Sequence, residues 1–463
     1  MTDRELESTG ADVATNLSQV TPELVEAIVV AMRESRAADV RRLVSDLTPP
    51  DMAWVLEQIS ESERESLLDI LQTDLDPEVL VELDDSVRES VIEHIGPTNL
   101  AVAAAELDSD DAVDIIGDLP EDERRQVLAA LPAEERAEIE QALAYDEDSA
   151  GRLMQRELVA VPQHWNVGEI IDYLRESADE LPEDFYDVFV VDEHNRPLGK
   201  VALGTLVRTK RPVPVADIMD RDLRTVPVNA PQVEVAHLFR DQNLVSAPVV
   251  DGTGRLLGVI TVDDVVDVID EEAERDMLGL AGVAEADIYA DVRHTVRARL
   301  PWLGVNLVTA LISSSVIALF QDEIQVVVAL AVLAPIVASM GGNAGTQTLA
   351  VAVRALATSE LTPRNALRFI GREAMVGTLN GVAVALVVGT VAWVWFGEWR
   401  IGAIIGAAIV INLVAACLSG TVIPLSLNRL KIDPAVSSGV FLTTVTDVLG
   451  FFAFLGLAAI FLF

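Results

Sequence analysis

The hydrophobic pattern divides the chain near residue 300. Before that point apolar positions come in short amphipathic groups, whereas after it they form long runs. About 20 consecutive apolar residues are enough for a helix to cross a bilayer. The pattern therefore predicts an α-helical membrane domain of five spans, at about 300–320, 324–357, 375–396, 401–428 and 436–463.

The second predicted span contains residues that are unusual in lipid. They are a proline, three glycines and two amides: Pro335, Gly341, Gly342, Gly345, Asn343 and Gln347. Non-helical backbone at membrane depth is tolerated only where it is buried in protein or lines a wet cavity. We therefore expect a break in this helix and a glycine-lined wall beside a polar pathway. Close packing of helices through small residues is the alternative.

The fifth predicted span carries Asp447 near its middle, and no other charge lies in the core of the predicted spans. A carboxylate at the centre of a membrane helix costs about 2.5–3.5 kcal/mol on insertion scales and commonly marks an ion pathway. We expect Asp447 to line a cation pathway, with a buried, protonated or hydrogen-bonded Asp as the alternative. Carboxylates and carbonyls would suit hydrated Mg²⁺, although the pattern does not itself choose the metal.

The N-terminal part of the chain reads as short helices. Residues 1–20 are predicted to be disordered, and residues 21–146 show repeated helix-start signals. Thr21 before Pro22, and Ser60 three residues before Glu63, are such signals. Helices this short cannot bury their apolar stripes alone, so we expect an all-α superhelix of stacked helices.

An internal repeat follows the predicted superhelix. Residues 154–162 recur at 219–227, and the Val-Val-Asp that ends at Asp192 recurs at Asp251. Each copy reads as β-α-β-β-α and resembles a CBS domain, the regulatory module of cystathionine β-synthase. The resemblance implies a tandem α/β pair.

The predicted boundaries of the CBS pair are 147–212 and 213–272. Many CBS pairs bind adenine nucleotides through a Ser or Thr followed two residues later by Asp. Thr261 and Asp263 fit that pattern in the second unit, whereas the first unit lacks it. ATP is therefore a candidate ligand of the second unit.

The acidic residues are concentrated before residue 300. The net charge is −41, yet residues 300–463 carry 7 basic and 7 acidic side chains. Lysine occurs only three times. A dense carboxylate surface suits a protein that works in molar salt, and it argues against a nucleic-acid partner.

A predicted acidic helix at 263–276 places like charges on one face at i, i+3 and i+4 spacing, which destabilises an isolated helix. Bound divalent cations would compensate this repulsion, and a solvated acidic face is the alternative.

Basic residues predict the orientation of the spans. They lie in a connecting helix within 273–299, between the second and third spans, and between the fourth and fifth: Arg293, Arg297, Arg299, Arg364, Arg368, Arg372, Arg429 and Lys431. We therefore expect the acidic N-terminal part in the cytoplasm, the C-terminus outside, and the cell membrane as the location.

Two segments of the membrane domain resemble the MgtE family of magnesium channels. They are residues 341–347, Gly-Gly-Asn-Ala-Gly-Thr-Gln, and residues 433–447, which begin Asp-Pro-Ala-Val-Ser-Ser-Gly and end Thr-Thr-Val-Thr-Asp. The order of helical domain, CBS pair, connecting helix and five spans is similar too. The resemblance implies a homodimer that is a transporter and not an enzyme. It also implies a pore formed by spans two and five of both subunits, in which Asp447 binds hydrated Mg²⁺.

The resemblance further implies regulatory Mg²⁺ sites that close the pore from the cytoplasm. The matching acidic positions are Glu78, Asp110, Asp114, Asp264, Asp267, Glu272, Asp276 and Asp433. Arg275 departs from the pattern, since family members can carry an acidic residue there. Two other functions remain open: a broader carrier of Mg²⁺, Co²⁺ and Mn²⁺, and a membrane-anchored nucleotide sensor.

Overall fold

The computed structural model describes residues 20–463 except 179–180, 183–184, 282, 284–288, 290–291 and 359. The chain forms two compact units, Met1–Glu271 and Glu272–Phe463. The predicted disorder of residues 1–20 concerns positions that lie, except for Val20, outside the described residues. The predicted fold class is confirmed by a helical N-terminal part, a CBS pair with small sheets, and five membrane-length helices.

Eight α-helices make up the described N-terminal part of the first unit. They are α1 Pro22–Arg33, α2 Ala37–Val44, α3 Pro49–Gln58, α4 Glu61–Leu71, α5 Asp85–Ala104, α6 Ser109–Asp118, α7 Glu121–Ala130 and α8 Ala133–Ala142. The predicted start signals work as expected. The Thr21 hydroxyl accepts a hydrogen bond from the Leu24 amide at 3.3 Å, and Ser60 with Glu63 forms a capping box.

Each short helix buries its apolar stripe against near neighbours in the chain. Helix α4 contacts α1, α2 and α5, while α6 contacts α7 and α8. Ile28, Leu67 and Ile116 are completely buried in this stack. Helix α5 bends at Gly96, whose φ of 76° is allowed for glycine, and Pro97 follows it.

The CBS pair consists of two matching three-stranded sheets. After the short helix α9 (Ala150–Leu153), the first copy contains β1 Ala160–Pro162, α10 Val167–Glu176, β2 Asp187–Val191, β3 Pro197–Ala202 and α11 Leu203–Arg208. The second contains β4 Val226–Pro227, α12 Gln232–Gln242, β5 Ser246–Val250, β6 Leu256–Thr261 and α13 Val262–Ala281. In each sheet the central strand pairs parallel with the first strand and antiparallel with the third.

A buried polar contact joins the two CBS copies. Asp187 accepts hydrogen bonds from Lys200 Nζ and from Ser246 Oγ, each at 2.7 Å. Ser246 lies in the second copy and the other two residues in the first. Burial of the carboxylate is therefore compensated by a charge and a hydroxyl.

The second unit contains five helices long and apolar enough to cross a membrane, among the residues described. The helices are α14 Val292–Ala318, the short α15 Gln321–Val326, α16 Ala329–Ala357, α17 Ala366–Phe396, α18 Trp399–Arg429 and α19 Pro434–Leu462. Helices α14 and α16 to α19 are the first to fifth spans. The fourth span packs against the second, third and fifth, and the second packs directly on the fifth.

The predicted break in the second span is wrong. Helix α16 continues through Pro335 and the glycines, and the non-helical residues are Val327 and Val328, ahead of the span. A continuous helix satisfies nearly all of its own backbone groups, which lipid requires. Gly341 and Gly345 permit close contacts between helices instead. The backbone of Gly345 also approaches the fourth span, since an added Cβ on Gly420 would lie 2.7 Å from the Gly345 carbonyl oxygen.

Two helix starts in the second unit also differ from prediction. The third span begins at Ala366 rather than 375, so Glu373 lies inside it. The basic connecting helix is not separate, because α14 runs from Val292 into the first span. In both cases the helix begins among polar residues, so the apolar run alone predicted a later start. Residues 282, 284–288 and 290–291 of the predicted connecting region lie outside the described residues.

Candidate functional site

One face of the second span is polar and is left exposed by the residues that the structure describes. Asn343 and Gln347 are one helical turn apart and both are exposed, whereas Gly341 and Gly345 are buried on the opposite side. The two amides therefore lie on a common surface that the described chain does not itself fill.

The three glycines of this span have different surroundings. A Cβ on Gly341 would overlap the Asn412 side chain of the fourth span, with Cγ at 2.8 Å. A Cβ on Gly345 would lie 2.8 Å from Leu442 Cδ1 of the fifth span. Gly342 has open space there, with nothing within 4 Å. Helix packing thus explains Gly341 and Gly345, and only Gly342 is left facing free space.

Asp447 is half-buried in the fifth span and makes no hydrogen bond or ion pair with any residue that the structure describes. The nearby hydroxyls are used elsewhere: Thr443 donates to the Gly439 carbonyl at 2.9 Å, and Thr446 to the Leu442 carbonyl at 3.1 Å. An uncompensated carboxylate at membrane depth calls for water or a cation.

Sequence reasoning missed a second carboxylate within the membrane-spanning helices. Glu373 of the third span is only 8% exposed and accepts a hydrogen bond from the Thr348 hydroxyl at 3.3 Å. It was overlooked because the predicted span began two residues too late to include it. Asp447 is therefore not the only acidic residue within the spans.

In the first unit, acidic side chains from α6 and α13 come together around Asp110, which is 9% exposed. Burial and the charge of Asp264 raise the pKa of Asp110 well above its ordinary value. Burial and the same neighbour raise the pKa of Asp111 to about 7. Burial also raises the pKa of Asp264 to about 6, although Thr261 donates a hydrogen bond to it at 2.7 Å. We call these three carboxylates the Asp110 cluster.

Further carboxylates surround the Asp110 cluster. Burial, followed by the charges of Asp267 and Glu78, raises the pKa of Glu82. Asp114 adds its charge to this region but also pairs with Arg88 at 3.3 Å. Asp111 and Glu82 were not predicted. Their spacing offered a signal, since Asp111 follows Asp110 directly and Glu82 lies four residues after Glu78.

Helix α6 is anchored where it presents the Asp110 cluster. The Ser109 hydroxyl donates to Glu157 Oε2 at 2.8 Å, and the Ser109 amide donates to the same oxygen at 3.3 Å. The Arg156 amide donates to the Ser109 hydroxyl at 2.8 Å. These contacts tie the start of α6 to the start of the CBS pair.

The second unit contains a smaller acidic group, which we call the Asp276 cluster. Burial and the charges of Glu272 and Asp433 raise the pKa of Asp276 to about 6. Asp433 accepts a hydrogen bond from the Ala435 amide at 2.7 Å and so caps the fifth span. Arg275 pairs with Glu272 at 3.2 Å and neutralises part of the cluster.

No three His, Cys, Asp or Glu side chains in the described part of the chain form a ready group of metal ligands. A cation at either cluster would therefore complete its shell with water, which Mg²⁺ commonly retains. The two candidate nucleotide-binding residues are poorly placed to bind ATP. Thr261 already donates its hydroxyl to Asp264, while Asp263 is exposed at the start of α13.

Five membrane-length helices define a multi-pass membrane protein. One of them carries a carboxylate without a described partner, and a CBS pair precedes them. Residues 334–457 match the MgtE profile, described as a divalent cation transporter. Residues 47–148 match the MgtE intracellular N domain, and 150–210 and 215–271 match the CBS domain. The chain belongs to the MgtE family.

The chain is similar to curated magnesium transporters, one of which covers nearly its whole length. The magnesium transporter MgtE of Bacillus subtilis is 32% identical over 442 residues, covering 95% of this chain and 98% of that protein. The magnesium transporter MgtE of Enterococcus faecalis is 34% identical over 318 residues, covering 69% and 70%. The solved soluble part of a magnesium transporter is 28% identical with a TM-score of 0.48, covering 54% of this chain and 98% of that one.

Proposed function

We propose that this protein is a homodimeric magnesium channel that passes Mg²⁺ into the cytoplasm and closes when cytoplasmic Mg²⁺ binds its acidic clusters. The observation that carries the proposal is Asp447, a carboxylate without a described partner, on the helix that packs directly against the polar second span.

The candidate pathway offers hard ligands. Asp447 supplies a carboxylate, and Asn343 and Gln347 supply amide oxygens. Oxygen ligands suit Mg²⁺, which enters such sites with much of its water shell. The curated relatives are named magnesium transporters, which supports the choice of this ion.

A second copy of the chain would complete the pathway. Asn343 and Gln347 are exposed within one chain, and polar groups facing lipid are unfavourable. Two copies related by a twofold axis would place both polar faces toward a shared interior. A single chain provides only one wall of such a path.

The basic residues at one end of the spans support a cytoplasmic N-terminal part and an external C-terminus. Arg364 lies just before the third span, and Arg368 and Arg372 lie in its first two turns. All three side chains are exposed. In this orientation the protein lies in the cell membrane and both acidic clusters are on its cytoplasmic side.

Regulation follows from the charge of the clusters. Cytoplasmic Mg²⁺ would neutralise Asp110, Asp111 and Asp264, and separately Asp276 and Asp433. It can close the channel only if the closed arrangement binds it more tightly than the open one. Burial, followed by the charges of neighbouring carboxylates, raises the pKa values of both clusters. A bound divalent cation would offset both the burial of charge and the repulsion.

The test is uptake of Mg²⁺ by the full-length protein in liposomes that contain a Mg²⁺-sensitive dye, with high KCl on both sides. We expect uptake that falls as Mg²⁺ is preloaded on the side of the acidic clusters. Equal passage of Co²⁺ or Mn²⁺ would support the broader carrier. Absence of any uptake, together with nucleotide binding, would support the membrane-anchored sensor instead.

A further inference from the structure

We infer that Asn412 of the fourth span is the positioning residue that sets the distance between the second and fifth spans beside the ion pathway. This inference rests on the proposed function, because it concerns the two helices that would line the path. Asn412 is completely buried, in a stretch of the fourth span that is otherwise apolar from Ile409 to Cys417.

Asn412 occupies space that two glycines leave open. A Cβ on Gly341 of the second span would overlap its Nδ2, and a Cβ on Gly450 of the fifth span would lie 2.6 Å from the same atom. Its carboxamide therefore lies in close contact with both helices, and we call this side chain the wedge. In addition, Nδ2 donates a hydrogen bond to the Val337 carbonyl of the second span at 2.8 Å.

The contact lies at the level of the candidate pathway. Gly450 is three residues after Asp447, which corresponds to about 4.5 Å along a helix. Gly341 is two residues before Asn343, or about 3 Å. A change at the wedge therefore displaces the backbone that carries both candidate pathway side chains.

Stability alone does not explain an amide at this position. Asn412 Oδ1 is buried and has no hydrogen-bond partner among the described residues, and a buried unpaired carbonyl is unfavourable. An apolar side chain of similar size would avoid that cost. The amide keeps one hydrogen bond that fixes its orientation, and with it the separation of the two helices.

The wedge predicts a specific coupling between variants. Gly341→Ala adds a methyl group whose three nearest atoms all lie beyond Cβ of Asn412, so we expect flux to fall by about tenfold through overpacking. Asn412→Ala removes those atoms. The double variant should therefore recover flux to about the level of Asn412→Ala alone, because residues in contact are not additive.

The ratio of Mg²⁺ to Ca²⁺ flux separates positioning from general stability. We expect Asn412→Ala to lower this ratio several-fold per folded dimer. Gly389→Ala serves as the structural control, since its Cβ would lie 2.8 Å from the Gly402 carbonyl, between the third and fourth spans. It should weaken folding without altering the ratio. Gly304→Ala, with nothing within 4 Å, should change neither.

The experiment measures both fluxes for these variants of the full-length protein in liposomes. Independent losses for Gly341→Ala and Asn412→Ala, or an unchanged ion ratio in Asn412→Ala, would overturn the inference. If Gly341→Ala does not assemble, restored assembly in the double variant supports the wedge and continued failure contradicts it. A wild-type protein without Mg²⁺ flux would refute the proposed function. The thermal stability of the wild type, of Gly341→Ala, of Asn412→Ala and of their double variant would still test the contact between Gly341 and Asn412.

Discussion

Replacing Asp111 by Asn should stabilise the first unit when no Mg²⁺ is present. Burial and neighbouring charges raise the pKa of Asp111 from 3.8 to about 7. A raised carboxyl pKa means that ionisation opposes folding. The cost is fully present above the folded pKa and is relieved as the pH falls toward the unfolded value.

The size of the effect follows from the shift. One pKa unit corresponds to about 1.4 kcal/mol, so the cost at pH 8 is on the order of 4 kcal/mol for Asp111 considered alone. Because Asp264 shares the repulsion, we expect Asp111→Asn to recover about half of it, or about 2 kcal/mol. That gain should slow amide hydrogen exchange across Ser109–Asp118 about 30-fold at pH 8.

The assay is hydrogen exchange of the full-length protein, compared at equal pH and constant KCl. Asp122→Asn is the matched control, since Asp122 is exposed on the next helix and should have no effect. Saturating Mg²⁺ should slow amide exchange more in the wild type than in the variant. Lowering the pH from 8 to 6 should likewise increase the protection of the wild type more than that of the variant. Equal exchange of wild type and Asp111→Asn at pH 8 without metal would refute the reasoning.

Three other predictions concern transport and closure. Gly342→Val should cut Mg²⁺ flux strongly while the protein still folds, because nothing lies within 4 Å of the added Cβ and the new side chain enters free space. Uptake into liposomes measures this flux. Combined Asp264→Ala and Asp267→Ala should weaken both protection from proteolysis by Mg²⁺ and closure of the channel. Arg275→Ala should lower the Mg²⁺ concentration needed for closure by up to about fivefold, because it removes the half-exposed ion pair with Glu272.

Each of these predictions has a matched contrast. Normal flux in assembled Gly342→Val would favour a purely structural role for that glycine. The control for the double Asp variant is substitution of Glu234 and Asp241, which are exposed on α12. If the control lost as much protection and closure as the double Asp variant, the cluster would be part of a solvated acidic surface. An unchanged closing concentration in Arg275→Ala would mean that Glu272 does not contribute to the sensor.

Local signals predicted the parts of the fold that depend on neighbouring residues. The caps at Thr21 and Ser60 start helices as expected. The repeated segment of the CBS pair also forms two matching sheets. In each case the physical cause lies within a few residues of its effect, so the pattern contains it.

Contacts between distant residues explain what the pattern did not predict. Gly341 was read as a helix break because its partner Asn412 lies 71 positions further along the chain, and only the fold brings them together. The proximity of Asp110 to Asp264 likewise comes from the packing of α6 near α13. It was expected from the family resemblance alone, since no local spacing relates those two carboxylates.

The measurement that tests the account most directly is Mg²⁺ uptake by Asp447→Asn beside wild type, at equal amounts of folded protein in liposomes. Asparagine keeps the size of the side chain and removes the charge that we propose binds the hydrated ion. The account predicts that uptake by the variant falls to the level of empty liposomes. Uptake at the wild-type rate would contradict the assignment of Asp447 to the pathway.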